Sequence, residues 1–215
     1  MNIKVCGITQ IKQLQQLESL NIDFVGFIFD PNSPRFVGDK LDKKQIKGAD
    51  YDLKKVGVFV NPSYSDLLDA IEDYGLDVVQ LHGEESPEMC EDLSDSVEVI
   101  KVFHVDETVT SVDELVAPYD MACDYYLFDT KTSTAKGGTG KQFNWNVIAN
   151  AKIEKPFFLS GGIGLEDVAK IKAFKHPDFY GIDVNSKFET EPGVKDMAKV
   201  LQLKVGLKPP SPKGG

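Results

Sequence analysis

Cysteine is scarce in this chain: Cys6, Cys90 and Cys123 are its full complement. An odd count with no Cys-x-x-Cys pair supports neither a disulfide framework nor a zinc ribbon, so each reads as a free thiol. Histidine is equally sparse, and His82, His104 and His176 stand at no metal-ligand spacing to one another or to an acid. His104 and His176 have no evident partner, and no metal is expected. Positive charge is also short, with 24 Lys plus Arg against 34 Asp plus Glu and a net charge of -10. Such a field repels polyanions, which argues against a nucleic-acid partner. No apolar run reaches membrane length, and no basic N-terminal segment leads into a long apolar one. The expectation is therefore a cytoplasmic protein with no membrane partner. No linker divides the chain, and 215 residues can bury most of their apolar surface in one core.

What is present is an alternation of short β-branched or aromatic runs with amphipathic stretches. Strands are expected at residues 3–6, 24–29, 55–60, 78–83, 97–105, 125–129, 156–160 and 179–184. Helices are expected between them, including 112–119, 145–151 and 165–174, with a last one at 194–203. Strands separated by helices pair in parallel through right-handed crossovers. That many units argue for a single α/β domain, a closed (β/α)8 TIM barrel, over residues 1–206. An open doubly wound sheet would carry Gly-x-Gly-x-x-Gly after its first strand, where this chain has Cys6-Gly7-Ile8-Thr9. Residues 207–215, rich in Pro and Gly, read as a disordered tail.

In such a barrel the active site lies at the C-terminal strand ends, and the polar residues with chemical potential fall there. Asp129 closes the apolar run Tyr125-Tyr126-Leu127-Phe128, and a flexible loop containing Gly137-Gly138-Thr139-Gly140 follows, either as a solvated turn or as a ligand-covering lid. Cys6 ends the first strand. A buried cysteine is commonly inert, but Lys4 shares its strand parity, and an ammonium beneath the thiol favours the thiolate. Asp183, inward on the eighth strand, is placed to compensate Lys4. Arg35 offers a bidentate fork for a carboxylate, or else a surface ion pair. His82, with Gln80 on the same face, reads as a polar contact or a satisfied buried histidine. Gly161 and Gly162 lead into a helix, and Asn185 and Ser186 follow the eighth strand. Together these loops suit a phosphate held by backbone amides.

Lys4-Val5-Cys6-Gly7-Ile8, Ser33-Pro34-Arg35, Val79-Gln80-Leu81-His82-Gly83, Leu127-Phe128-Asp129, Gly137-Gly138-Thr139-Gly140, Ser160-Gly161-Gly162 and Gly181-Ile182-Asp183-Val184-Asn185-Ser186 occur in this order. Taken together they resemble the phosphoribosylanthranilate isomerase family of tryptophan biosynthesis across nearly the whole chain. The resemblance implies an Amadori rearrangement of a small phosphorylated aminosugar, with Cys6 and Asp129 catalytic, Arg35 on the substrate carboxylate, and no cofactor. His82 and Asp183 are expected to contact substrate, and either a monomer or a homodimer is compatible. The sequence departs from the family at Lys187-Phe188, where the family carries Ser-Gly-Val-Glu, so Lys187 is a candidate extra cation for the phosphate. Two other readings stand beside this one. A histidine-pathway aminoaldose isomerase would place an aspartate at Cys6, and a non-catalytic sugar-phosphate-binding barrel would have no use for both Cys6 and Asp129.

Overall fold

The computed structural model describes residues 1–106, 108–129 and 145–208. Eight parallel strands, β1 (Asn2–Cys6), β2 (Phe24–Ile28), β3 (Lys54–Phe59), β4 (Val78–Leu81), β5 (Glu98–His104), β6 (Tyr125–Asp129), β7 (Phe157–Ser160) and β8 (Phe179–Val184), pair in sequence order. β8 returns to β1, with Lys4 and Asp183 as direct partners, and closes the expected barrel. The helices between strands are α1 (Ile11–Ser19), α2 (Lys43–Lys47), α3 (Tyr64–Tyr74), α4 (Pro87–Ser94), α5 (Asp113–Val116), α6 (Asn146–Ala149) and α7 (Val168–Ala173). Local chemistry sets several of their ends. The Ser63 and Ser86 hydroxyls accept from the amides of Asp66 and Met89, and Pro87 opens α4 where its missing N–H costs nothing. Gly75, at φ 60, terminates α3 in the left-handed conformation that a helix end favours.

Strands of a parallel barrel are buried on both faces, and two apolar clusters result. One lies between the sheet and the helices. The other fills the barrel, where Phe24 and Phe158 meet edge to face at 5.3 Å in a cluster with Val56, Val78, Ile100 and Leu127. Lys4, Gln80 and Asp183 are also buried and lie toward the open end, so the barrel is apolar below and polar above.

Three expected helices differ in the structure. The last does not begin at Val194: a hairpin of β9 (Glu189–Glu191) and β10 (Val194–Lys195) comes first, and α8 runs Met197–Leu207. Gly193, at φ 87, turns the hairpin, and the Asp196 carboxylate accepts from the amides of Ala198 and Lys199 to start the helix after it. Leu207, assigned to the tail by the sequence, is helical and packs on the core, while residues 209–215 lie outside the described residues. The helix expected at 112–119 narrows to a 3-10 turn at Ala117–Tyr119, where Pro118 has no amide to donate. The helix at 165–174 likewise opens with a 3-10 turn, Leu165–Asp167. Among the described residues no helix is long and apolar enough to cross a membrane.

Candidate active site at the C-terminal mouth of the barrel

A cavity of about 340 Å³ opens at the C-terminal ends of the strands. Cys6, Arg35, His82, Asp129, Gly161, Gly162, Asp183, Asn185 and Ser186 all line it, with Gln80 and Lys187. Its size suits a small phosphorylated molecule. The glycine-rich stretch 137–140 and the proposed lid lie outside the described residues.

At one side Cys6 stands over the Lys4–Asp183 ion pair, whose Nζ and Oδ1 atoms are 3.0 Å apart. Burial disfavours the Lys4 ammonium, but Asp183 and Cys6 together outweigh this and hold the lysine protonated beyond its ordinary range. The expected activation of the thiol is corrected by this arrangement. Burial pushes the Cys6 thiol up, and Lys4 opposes it only in part because the charge of Asp183 works the other way. Gly26 on β2 provides room for this thiol, since a methyl group there would come 2.7 Å from Cys6 Sγ. A glycine inside a strand is the sequence signal for such an approach. Cys90 and Cys123 sit in the outer core, where burial pushes their thiols up to about 11 and about 12.

Asp129 ends β6, and His82 follows β4 with its Nε2 3.6 Å from Asp129 Oδ2. His82 Nδ1 lies 3.0 Å from the side-chain nitrogen of buried Gln80. The loop carrying His82 is fixed from below: Lys101 Nζ donates to the Gly83 carbonyl and to Glu85 Oε2, each at 2.7 Å. The expectation that His104 and His176 lack partners fails here. His104 has partners, with its Nε2 3.3 Å from the His82 carbonyl and its ring 5.1 Å from the His82 ring. His82, His104 and Asp129 also bring ligand atoms within 4.8 Å of one another, a metal-type cluster that linear spacing did not suggest. His176 is partnered as well, through the Ala151 carbonyl and the Asp178 amide.

Opposite lies an ion network that the sequence did not reveal. Arg35 donates from Nε to Glu189 Oε1 at 2.8 Å and from Nη2 to Oε2 at 2.6 Å. Glu189 also accepts from buried Lys195 at 2.6 Å and from the Gly193 amide at 3.1 Å. Burial works against the Glu189 carboxylate, but its bonds to Arg35 and Lys195 prevail and keep it below the ordinary carboxyl range. Lys195 further donates to Asn185 Oδ1 at 2.7 Å, which orients that residue in the mouth. Gly7, at φ 78, lets the two sides meet, because a side chain there would strike Arg35 at 2.7 Å and Asn185 at 3.0 Å.

Gly161 and Gly162 adopt φ of 101 and 67, and the space facing Gly162 is open for 4 Å, so the backbone there is bare toward the cavity. The Gly164 amide is committed elsewhere, donating to Asp167 Oδ2 at 2.9 Å. Lys187 lines the cavity and is paired with the Glu166 carboxylate.

A family model described as N-(5'phosphoribosyl)anthranilate (PRA) isomerase matches residues 3–204. An N-(5'-phosphoribosyl)anthranilate isomerase from Parabacteroides distasonis is 42% identical over 203 residues, covering 93% of this chain and 90% of that protein. The crystal structure of phosphoribosyl anthranilate isomerase from Thermotoga maritima is similar with a TM-score of 0.81 and 30% identity, covering 96% of this chain and 98% of that one. A phosphoribosyl anthranilate isomerase in complex with reduced 1-(o-carboxyphenylamino)-1-deoxyribulose 5-phosphate matches at 0.80 and 28%, with the same coverage.

Proposed function

The chain belongs to the N-(5'-phosphoribosyl)anthranilate isomerase family, and from that premise we propose how its own residues carry the reaction. The enzyme converts N-(5-phosphoribosyl)anthranilate into 1-(2-carboxyphenylamino)-1-deoxyribulose 5-phosphate, an aldose-to-ketose step of tryptophan biosynthesis. Asp129, protonated, gives its proton to the ribose ring oxygen as the bond from C1 to that oxygen breaks. The anilino nitrogen supplies the electron pair, leaving a cationic Schiff base that acidifies the proton on C2. Cys6 thiolate takes that proton, and the enolamine formed tautomerises to the ketone. The substrate's own iminium is the electron sink, so the residues need only move protons.

The raised affinity of Cys6 for its proton fits this order of events. A buried thiolate is a stronger base than an exposed one, and the iminium that forms beside it favours its ionised state before C2 gives up its proton. The substrate phosphate lies against the bare backbone at Gly161 and Gly162 and against Asn185 and Ser186, with Lys187 as the added cation. Its carboxylate approaches the Nη1 edge of Arg35, whose other two nitrogens Glu189 holds in place. His82 and Asp183 contact the sugar between these ends. The partner this reading requires is a small phosphorylated aminosugar in the cytoplasm.

One observation carries the proposal: a thiol and a carboxyl face a common cavity flanked by an anchored guanidinium on one side and glycine backbone on the other. Mixing the purified chain with N-(5-phosphoribosyl)anthranilate should remove the substrate's anthranilate-type fluorescence, while Cys6→Ser leaves it nearly constant. A Cys6→Ser protein as active as the parent would remove the thiol from the mechanism.

A further inference from the structure

We propose that the ends of β4, β5 and β6 form a cation site of the zinc class, with His82, His104 and Asp129 as ligands, and that occupying it stops the isomerase. The ligands come from three consecutive strand ends, so the barrel itself sets their spacing. His104 and Asp129 are direct partners in the β5–β6 ladder, and each of the three residues has a ligand atom within 4.8 Å of the other two. His82 Nε2 and Asp129 Oδ2 are closer, at 3.6 Å. Bonds of about 2.0–2.2 Å to a tetrahedral ion put its donors roughly 3.4 Å apart, so side-chain rotations of about 1 Å complete the set. Two imidazoles and one carboxylate match the donor preference of zinc and its neighbours and differ from the all-oxygen shells of magnesium and calcium.

The surroundings of both histidines supply the second observation. A histidine that binds metal through one ring nitrogen donates its other N–H to an oxygen, which fixes the tautomer. His104 Nε2 is 3.3 Å from the His82 carbonyl, and donating there makes its other nitrogen a bare lone pair. Gln80 is 1% exposed, and its Oε1 has no hydrogen-bond partner among the described residues while its nitrogen sits 3.0 Å from His82 Nδ1. Turning that amide over gives Oε1 the Nδ1–H of His82, which frees Nε2 as a ligand beside Asp129. His104 is exposed, and His82 and Asp129 are partly so, which leaves an entry path for an ion.

Metal binding does not depend on the chain's activity, but its effect on turnover rests on the proton-donor reading of Asp129. A cation holds Asp129 as the anion and leaves it no proton for the ring oxygen.

The full chain, stripped with a chelator, is titrated with Zn2+ by calorimetry and with Co2+ by visible absorption. One Zn2+ per chain and tetrahedral Co2+ bands are expected. His104→Ala should weaken Zn2+ at least about tenfold and abolish the bands. Cys6→Ser should bind as the parent does, which separates this site from one built on the thiol. Saturating Zn2+ should suppress turnover reversibly in the parent, with His104→Ala still active at the same Zn2+ concentration. Equal Zn2+ affinity in the parent and His104→Ala, or loss of binding in Cys6→Ser, overturns the site. Binding that depends on His104 but leaves turnover intact upholds the site and overturns the proton-donor role of Asp129.

Discussion

Arg35 holds Glu189 with a two-pronged grip, 2.8 Å from Nε to Oε1 and 2.6 Å from Nη2 to Oε2. The guanidinium is thereby aimed before any ligand arrives, so little ordering cost remains for binding. Arg35→Ala should raise KM at least about tenfold with kcat changed only a few-fold, since the lost contact exists in both ground and transition states. Arg35→Lys should fail to restore KM, because a single ammonium cannot serve Glu189 and a ligand through one rigid fork. Steady-state kinetics decide this, and a normal KM in Arg35→Ala refutes the carboxylate role.

Cys6→Ser and Asp129→Asn should each lower kcat by about 100-fold or more, with a product analogue bound nearly as tightly as before. Both variants keep the size of the side chain, so urea denaturation should give midpoints close to the parent. Parental turnover in either variant excludes that residue from proton transfer.

The clearance around Cys6 gives a sharper test. In Gly26→Ala the new methyl lies 2.7 Å from Sγ, and relieving it moves the thiol. That overpacking should cost about 1–3 kcal/mol of stability together with a marked fall in kcat. Gly162→Ala meets nothing within 4 Å and suffers only from its φ of 67, so it should cost about 1 kcal/mol and raise KM instead. Identical kinetic signatures in the two variants would contradict the division of the mouth into a reacting side and a phosphate side.

Acid stability should depend on Glu85. Burial works against its carboxylate, but Lys101 at 2.7 Å and the amides of Asn61 and Gly83 prevail and hold its pKa below the ordinary value. A carboxyl with a lowered folded pKa stabilises the fold above its unfolded value of about 4.3. That contribution is lost as pH falls through the folded value. Glu85→Gln should destabilise the chain by about 3 kcal/mol at neutral pH, because Lys101 is left buried without a counter-charge. The variant should also lose less stability than the parent on acidification, as urea midpoints across a pH series will record. Parallel curves for the two proteins would exclude the pair as a source of acid sensitivity.

The barrel was legible in the chain because alternating apolar runs and amphipathic stretches leave few topologies open, and because strand ends collect the polar residues. Strand parity alone placed Lys4 and Asp183 inside together. It did not give the direction of the Cys6 shift, since that depends on how fully the thiol is buried and how far Asp183 offsets its neighbour. The proximity of His104 to His82 and Asp129 is hidden in the sequence because it follows from the stagger between strands, which no linear spacing encodes. The role of Glu189 is hidden for a similar reason. It sits on the first arm of a hairpin whose second arm, Val194–Lys195, the sequence presents as the start of a helix, and its importance appears only once Arg35 is brought to it.

That hairpin also bears on how the protein is made. Arg35 and its carboxylate are 154 positions apart along the chain, Lys4 and Asp183 are 179, and Gln13 in α1 clasps the backbone of Lys195 across 182. A nascent polypeptide therefore carries its thiol and its guanidinium well before its binding mouth, which is finished only once β8 and the hairpin after it have been made. Stopping translation before Phe179 yields a chain in which β1 and β7 each lack a neighbour, so closure of the sheet waits for β8, and the anchored guanidinium waits further for Glu189.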